Sequence, residues 1–475
     1  MYTVLSEYLN TVVRRSWAYT EWMPTLPWLG TGVAPLAQWV FVPAVALTMA
    51  RKCAIPGAVL LLAASVIVSP AHADQAIRAA VEASAQPGAT FESVIAIAHR
   101  LSPQLAARAL DAEAARARVN VAGSLPDPVL RITSDELDRM SGPRQNKMIY
   151  GVEQEIPLWG KRALRREAAE ADVSQKTAEL KNAETELVER VKIAFALYYQ
   201  SDRTLQATRA LRPIVDGIMR AARERYTQNL TPQQDVIRAE LEATRLASEI
   251  ARLEGVVRSA TGRLNTLLLR PADAPLAAPQ TLRSLPPGDR LMLPALIERA
   301  RSVSPLLAAG KAMIRAADRN AQLARREWYP DATVSLGAID RTGNGPNGYV
   351  ASIGIKVPLQ WGLHDGQVRD AAAQAGAAEA RLDAAEQQIQ GDLAEATATL
   401  EASRRSGELS RQRMIPQANA ALRSAVAGYG VGKIDLASVL QAERDLAAIR
   451  IDLFAIEFEQ QRQLATIERL IGGEL

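Results

Sequence analysis

The sequence predicts a mainly α-helical fold with a transmembrane β-barrel portion, in which long helical hairpins and four β-strands arise from one duplicated unit. Three observations support this fold class. The chain repeats part of itself about two hundred residues later. Each copy holds a helical stretch of more than sixty residues with only one proline, and each holds two short segments with alternating apolar and polar residues.

The duplication is visible as a colinear series of matches. Ser102-Pro103 recurs 202 residues later as Ser304-Pro305, and the stretch Tyr226 to Glu240 lies over Tyr429 to Glu443 at an offset of 203. A single match would mean little, but an ordered series indicates a duplicated unit whose period is far longer than that of an ordinary solenoid. The two repeats are predicted to cover residues 91–270 and 293–471, with a linker over residues 271–292.

The N-terminal region has the features of an export signal. Residues 49–73 combine a basic pair, Arg51-Lys52, with an apolar run and end in the cleavage-site pattern Ala71-His72-Ala73. The apolar run of about 16 residues is short for a membrane-spanning helix. We therefore expect cleavage after Ala73, and we interpret residues 1–48 as a non-native N-terminal extension. Cys53, the only cysteine, would be removed with the signal.

Long helices dominate each repeat. We expect an opening helix over 91–125 in the first copy and 293–328 in the second, then long helices over 161–225 and 362–428 and return helices over 232–269 and 434–471. A helix of about 65 residues would extend roughly 100 Å. An alanine-rich run at Asp370 to Ala380 offers little apolar surface, so these helices need neighbours.

Four segments show the alternation of β-strands and form one hairpin per repeat. They are Val129–Asp138, Met148–Leu158, Ala332–Arg341 and Tyr349–Leu359. In the last of them Tyr349, Ile353 and Ile355 fall on one face, opposite Ser352 and Lys356. Strands of about ten residues with one apolar face suit a membrane barrel, although a soluble sandwich would show the same alternation.

Tryptophan favours the membrane interpretation. The three tryptophans beyond the signal, Trp159, Trp328 and Trp361, all lie where a predicted strand meets a predicted helix. An interfacial aromatic belt belongs at such a boundary, and packing at a domain junction is the alternative. Four strands cannot close a membrane barrel, and an open sheet edge is not tolerated in lipid, so the chain is expected to oligomerise.

No residue pattern points to catalysis, a cofactor or a bound metal. His99 and His364 lie in different repeats without zinc-ligand spacing. Met140 and Met148 flank the first hairpin loop and could contact Cu(I), but packing explains two methionines better. The formal net charge is +4, with both signs interleaved along helices, which argues against a nucleic-acid partner. We expect a protein that is not an enzyme.

Two stretches carry a family resemblance. They are EIPLWGKR, from Glu155 to Arg162, and YGVGKIDLASVLQAE, from Tyr429 to Glu443. With the order helix, hairpin, long helix and return helix twice behind a signal peptide, the chain resembles the outer-membrane efflux proteins of the TolC type. The resemblance covers roughly residues 91–471, and the first stretch is most similar to the heavy-metal cation branch.

The resemblance implies a homotrimer whose strands form a 12-stranded barrel in outer-membrane lipid, continued by an α-helical tunnel in the periplasm. Such a protein is a passive exit duct that works with a periplasmic adaptor and a proton-driven inner-membrane pump. A multidrug or type I protein-secretion channel remains an alternative within this class. A soluble periplasmic coiled-coil adaptor or structural protein is the alternative from another class.

The resemblance also implies a gated tip that docks the adaptor. Its residues would lie at the two turns between long and return helices: Tyr226, Asp235, Tyr429, Lys433 and Asp435. Tyr429 matches the gate tyrosine and Asp235 the gate aspartate. The sequence departs from the family pattern at Asn229, where glycine is usual, and at Ile434, where arginine often occurs, so that Lys433 is the nearest cation in that turn.

Overall fold

The computed structural model describes residues 87–136, 146–341 and 346–475. The predicted extension, the signal peptide, Met140 and most of both hairpin loops lie outside these ranges. In the first repeat the elements are α1 (Phe91–Leu101), α2 (Pro103–Gly123), β1 (Val129–Glu136), β2 (Asn146–Ile156), α3 (Lys161–Arg209), α4 (Arg212–Thr227) and α5 (Gln233–Leu267).

The second repeat contains the same elements in the same order. They are α6 (Leu293–Val303), α7 (Pro305–Arg326), β3 (Asp331–Arg341), β4 (Gly348–Lys356), α8 (Trp361–Leu409), α9 (Ile415–Gly430) and α10 (Leu436–Ile471). A short 3-10 helix, Gly288–Leu291, precedes α6, and a π-helical turn, Ser410–Met414, separates α8 from α9. None of the helices described is both long and apolar enough to cross a membrane.

Each opening helix is divided in two, where the sequence analysis expected one. The breaks lie at Ser102 and Ser304, whose ψ angles are 114° and 121°. Pro103 and Pro305 cause them, because the ring of a proline excludes the preceding residue from the α region. Each proline then occupies the first position of the next helix, where its missing N–H is no loss.

The long helices are also interrupted, near Pro213 and Pro416. α3 and α8 each have 49 residues, or about 75 Å of helix. In the first repeat the chain leaves the helix at Ala210 before α4, and in the second it passes through the π-helical turn. Because proline lacks an N–H and its ring contacts the preceding turn, each interruption comes where the regular bonding is lost.

The four strands form one antiparallel sheet in the order β1-β2-β3-β4. β2 pairs with β3 over its length, from Lys147 with Arg341 to Ile156 with Ala332, and this pairing joins the two repeats. In a single chain the outer edges of β1 and β4 have no strand beside them among the described residues.

The sheet has one apolar and one polar face, as its alternation predicted. Residues in register share a face, because side chains alternate along a strand. The apolar face carries Leu130, Ile132, Tyr150, Val152, Val334, Leu336, Tyr349, Ile353 and Ile355. On the other face Arg131 pairs with Glu153 at 2.7 Å, and the hydroxyls of Ser335 and Ser352 lie 2.6 Å apart. Much of the apolar face is exposed in the single chain, with Ile353 at 77%.

Buried clusters repeat with the duplication. Val94, Val191 and Leu264 lie in the cluster of the first repeat, and Leu296 and Leu393 lie in that of the second. A third cluster joins both repeats near the two turns and contains Ala222, Ala239, Tyr429 and Leu436.

A buried ion cluster connects the repeats between the sheet and the turns. Lys192 of α3 lies 2.7 Å from Glu468 of α10, and both side chains are buried. Arg283, from the segment between the repeats, also donates to Glu468. Burial disfavours the charge of Glu468, but these two cations lower its pKa below the ordinary value. The linker therefore contributes to the contact between the two halves.

Candidate functional site at the sheet boundary and the paired turns

The three tryptophans lie at one end of the sheet. Trp159 follows β2, Trp328 precedes β3 and Trp361 opens α8 just after β4. Because β2 and β4 end where β3 begins, the antiparallel order brings these junctions to one boundary. All three indoles are exposed in the single chain.

Trp159 is held in a fixed position at this boundary. Its indole N–H donates to the carbonyl of Pro330 at 2.8 Å, and its ring lies 5.4 Å from that of Tyr329. Its φ angle of 59° falls in the left-handed region, which is rare for a large side chain. Trp328 packs near His364, with ring centroids 5.6 Å apart.

A buried lysine connects the two repeats at the same boundary. Lys161, the first residue of α3, is only 1% exposed. Its ammonium donates to the carbonyl of Tyr329 at 2.9 Å and to Asp331 at 2.8 Å, with Glu327 at 3.4 Å. Asp331 in turn accepts from the backbone N–H of Leu158 at 3.0 Å. One ionic network therefore joins the start of α3 to the start of β3.

The next residue, Arg162, links the start of α3 to the end of α2. Arg162 donates to the carbonyl of Gly123, the last residue of α2, at 3.1 and 2.7 Å. Lys161 and Arg162 lie in the family stretch from Glu155 to Arg162, but no role was predicted for them from the sequence. Their adjacency to the strand end was visible, but their partners come from distant parts of the chain.

The two helical turns have matching backbones. Asn229 and Gly432, which are 203 residues apart, have φ angles of 55° and 74°. Two matching hydrogen bonds close each turn. In the first, the N–H groups of Asn229 and Leu230 donate to the carbonyls of Tyr226 and Arg225, and in the second those of Gly432 and Lys433 donate to the carbonyls of Tyr429 and Gly428. Asparagine tolerates the left-handed conformation better than other non-glycine residues, so the departure at Asn229 leaves the turn intact.

Tyr429 and Asp235 belong to different repeats, and the structure places the charge of Asp235 near the phenol of Tyr429. Tyr429 is 4% exposed and packs in the cluster shared by both repeats. Burial raises the pKa of its phenol, and the charge of Asp235 raises it further. Asp235 also accepts a hydrogen bond from the hydroxyl of Thr231 at 2.5 Å.

The other predicted tip residues lie on the surface. Tyr226 and Lys433 are exposed. Asp435 caps α10 by accepting from the N–H of Ser438 at 3.2 Å. This hydrogen bonding lowers the pKa of Asp435, and the nearby Arg238 adds to the effect.

Sequence reasoning missed two groups near these turns. Arg225 of α4 contacts Tyr429 and the backbone after it. Glu443 of α10 is 4% exposed, and burial raises its pKa to about 7, with the charge of Glu242 adding to the rise. Glu242 itself pairs with Arg444. Within the described ranges no three His, Cys, Asp or Glu side chains gather as metal ligands.

Comparison with known proteins agrees with this architecture. Residues 94–268 and 296–473 match the family described as "Outer membrane efflux protein". The chain belongs to this family. The outer-membrane location and the efflux-channel function expected from the sequence, with the helical portion in the periplasm, are thereby confirmed.

Individual relatives are similar in sequence or in fold. The chain is 26% identical over 385 residues to the "Cobalt-zinc-cadmium resistance protein CzcC" of Cupriavidus metallidurans, covering 81% of this chain and 90% of that protein. It superposes on the outer membrane protein VceC of Vibrio cholerae with a TM-score of 0.70 at 19% identity, covering 81% and 96% of the two chains. For CusC the TM-score is 0.71 at 17% identity, with 81% and 92% covered.

Outer membrane efflux proteins of this kind work with an adaptor and an inner-membrane pump in tripartite systems. Members of the family are channels rather than enzymes. That this chain itself catalyses no reaction stays a prediction.

Proposed function

We propose that this outer membrane efflux protein is the passive exit duct of a tripartite system that exports heavy-metal cations. The observation that carries the proposal is the similarity to a cobalt-zinc-cadmium resistance protein over 90% of that protein's length. In this proposal a proton-driven inner-membrane pump selects the cation and a periplasmic adaptor connects that pump to the duct. The metal is cargo and not a resident cofactor.

The sheet supports assembly from three copies. Its apolar face is exposed in one chain, and β1 and β4 leave unpaired edges. The apolar face suits lipid, but open strand edges are not tolerated there unless the sheet closes on itself. Three chains would supply 12 strands, an even number within the range of bacterial outer-membrane barrels. The apolar face would then contact lipid and the polar face would line the lumen.

The tryptophan boundary supports a position for the barrel. Trp159, Trp328 and Trp361 would form the aromatic belt at the membrane interface from which the helices leave the sheet. Since the long helices begin at this boundary, they would form the tunnel in the periplasm. Lys161 would fix the angle at which that tunnel meets the barrel.

The paired turns would form the periplasmic tip. In a ring of three chains they occur six times around the axis. Tyr226, Lys433 and Asp435 are exposed there and available to an adaptor, whereas Tyr429 is buried and lies near the half-buried Asp235. We assign adaptor docking to the exposed set and gating to Tyr429 and Asp235.

The substrate class is tested by metal accumulation in the native host. A strain without this gene should hold more zinc, cobalt or cadmium after metal challenge than the same strain carrying the gene on a plasmid, as measured by mass spectrometry of cell extracts. Resistance to lipophilic drugs should be equal in the two strains. Equal metal contents with a difference in drug accumulation, or in a secreted protein, would favour the multidrug or type I secretion alternative.

A further inference from the structure

Six basic side chains gather at one place on the sheet boundary. They belong to the start of α3 and to the end of α7, two helices that pack against each other and that the pairing of β2 with β3 brings to the same end of the sheet. They are Lys161, Arg162, Arg165, Arg166, Arg325 and Arg326. In α3 all four cations precede the first acid of the helix, Glu167.

The position of these cations is unusual for a helix. The N-terminal end of a helix is the positive end of its dipole, where a cation is disfavoured, and the first turn of α3 has neither an acid nor a side-chain cap. The matching junction of the second repeat, at the start of α8, has no such cations. Its residues 202 positions later are Leu363, His364, Gln367 and Val368. A strand-to-helix junction of this kind therefore does not itself require four cations.

Three of the six cations are paired with acids. Lys161 lies 2.8 Å from Asp331 and 3.4 Å from Glu327, and Arg165 lies 3.1 Å from Glu327. Arg166 pairs at 2.9 Å with an acid one turn further along α3. These acids therefore balance the charge of one half of the cluster.

The other three cations, which we call the boundary arginines, are Arg162, Arg325 and Arg326. Arg162 donates to the carbonyl of Gly123, and Arg326 donates to the carbonyl of Trp159. A carbonyl orients a guanidinium without neutralising it. Arg325 and Arg326 are exposed. Because a guanidinium has five N–H donors, the contact with Trp159 leaves Arg326 further donors for an anion.

Exposed aromatic and apolar side chains adjoin the boundary arginines. The carbonyl that Arg326 contacts belongs to Trp159, whose exposed indole lies next to the exposed ring of Tyr329. Leu158, the residue before Trp159, is exposed as well. Aromatic rings at the end of an apolar face are typical of the headgroup level of a membrane, and basic side chains beside a membrane attract anionic lipids.

We infer that the boundary arginines bind the headgroup of an anionic phospholipid in the leaflet nearest the periplasm. The inference rests on the proposed duct, which places the sheet in the membrane and the tryptophans at its periplasmic surface. A guanidinium binds a phosphate through two parallel N–H groups. A zwitterionic headgroup would bring its own ammonium close to the arginines, so a headgroup with net negative charge is preferred. Three chains supply three such sites around the barrel.

The test is native mass spectrometry of the purified assembled protein, titrated with phosphatidylglycerol or phosphatidylethanolamine. Both lipids have a phosphate, but only the first has a net negative charge. We expect wild type to prefer phosphatidylglycerol and Arg326→Gln to bind it about fivefold more weakly, since this is the contribution of one basic side chain near anionic lipid.

Arg315→Gln is the matched control. Arg315 is exposed on the same helix, α7, and lies about 16 Å along the helix from Arg326, beyond the Debye length at 0.1 M salt. Its affinity for phosphatidylglycerol should equal that of wild type.

Two further variants separate the loss of charge from the loss of structure. Arg325→Gln leaves the contact between Arg326 and Trp159 in place and should also weaken phosphatidylglycerol binding about fivefold. Arg326→Lys keeps the charge without the planar fork, and its affinity should lie between those of wild type and Arg326→Gln. The mass of each variant shows before the titration that it assembles as wild type does.

The outcomes distinguish this inference from the proposed function. Equal affinity of assembled wild type for the two lipids would overturn the lipid site and leave the duct in place. Unchanged phosphatidylglycerol affinity in both Arg325→Gln and Arg326→Gln would also overturn it, as would an equal loss in Arg315→Gln. A wild-type protein that is a soluble monomer would overturn the proposed function itself.

Discussion

Lys161 is fully buried although lysine is among the residue types least often found in protein interiors. Its ammonium donates to Asp331 and to the carbonyl of Tyr329. Breaking a buried pair by removing one partner leaves the other charge without compensation and is strongly destabilising. The network is local, yet it fixes the point where the sheet meets the first long helix.

We predict that Lys161→Met destabilises the folded protein by about 3 to 5 kcal/mol, because the charge of Asp331 loses its partner. Arg166→Met is the control: Arg166 forms an exposed pair with Glu170 at 2.9 Å, and loss of such a pair costs about 1 kcal/mol or less. The measurement is denaturant unfolding of both purified variants. Equal losses in the two variants would contradict the structural role of Lys161.

Glu443 makes the stability of the folded protein depend on pH, and the sign of that dependence follows from the surroundings of its side chain. Its pKa is raised from 4.5 to about 7, first by burial and then by Glu242. Between about pH 4.5 and 7 the folded protein keeps a proton that the unfolded chain has lost, so stability falls as pH rises. The shift corresponds to at most about 3 kcal/mol.

We predict that Glu443→Gln, which cannot ionise, flattens this fall in a thermal melt measured from pH 5 to pH 8. Glu240 occupies the matching position of the first repeat and is exposed, so Glu240→Gln serves as the control. A pH slope in Glu443→Gln as steep as that of wild type would assign the dependence to other groups.

At the scale of elements, the two faces of the sheet should differ in their tolerance of charge. Ile353 lies on the apolar face and Ser352, the next residue, on the polar face. We predict that Ile353→Lys weakens assembly by roughly 2 to 4 kcal/mol, as expected for a lysine near the middle of the bilayer, while Ser352→Lys has a mild effect. The fraction of assembled protein in membranes, measured by heat-modified gel mobility, checks this. Equal assembly of the two variants would mean that the face carrying Ile353 does not contact lipid.

Much of the element structure could be predicted from the sequence, and the reasons are physical. Strands such as Tyr349–Leu359 were found to within a few residues because alternation is a local property. The division of the opening helices was not predicted, although Pro103 and Pro305 indicate it. A proline excludes the residue before it, here a serine, from the α region.

Contacts between elements were not predictable in the same way. The pairing of β2 with β3 joins residues almost two hundred positions apart, and no local pattern specifies it. The same holds for Lys161 with Asp331 and for Arg225 with Tyr429. Charged residues beside helix ends are common, and only the folded chain shows which of them meet a buried partner.

At the scale of the whole molecule, the duplicated halves are joined at four levels. β2 pairs with β3 in the sheet, and Lys161 pairs with Asp331 at the sheet boundary. Lys192 and Arg283 contact Glu468 between the sheet and the turns, and Arg225 contacts Tyr429 at the turns. The two repeats of each chain are therefore in contact along the length of the chain's fold, from the sheet to the turns. The exposed apolar face and open strand edges are the features that a single chain leaves unsatisfied.

The most direct test of this account is the native mass of the protein extracted from outer membranes with a mild detergent. We predict that it fractionates with the outer membrane and has the mass of three chains, since three copies close the sheet with 12 strands. A monomer recovered without detergent from the soluble periplasmic fraction would contradict the duct and would favour a soluble coiled-coil adaptor instead.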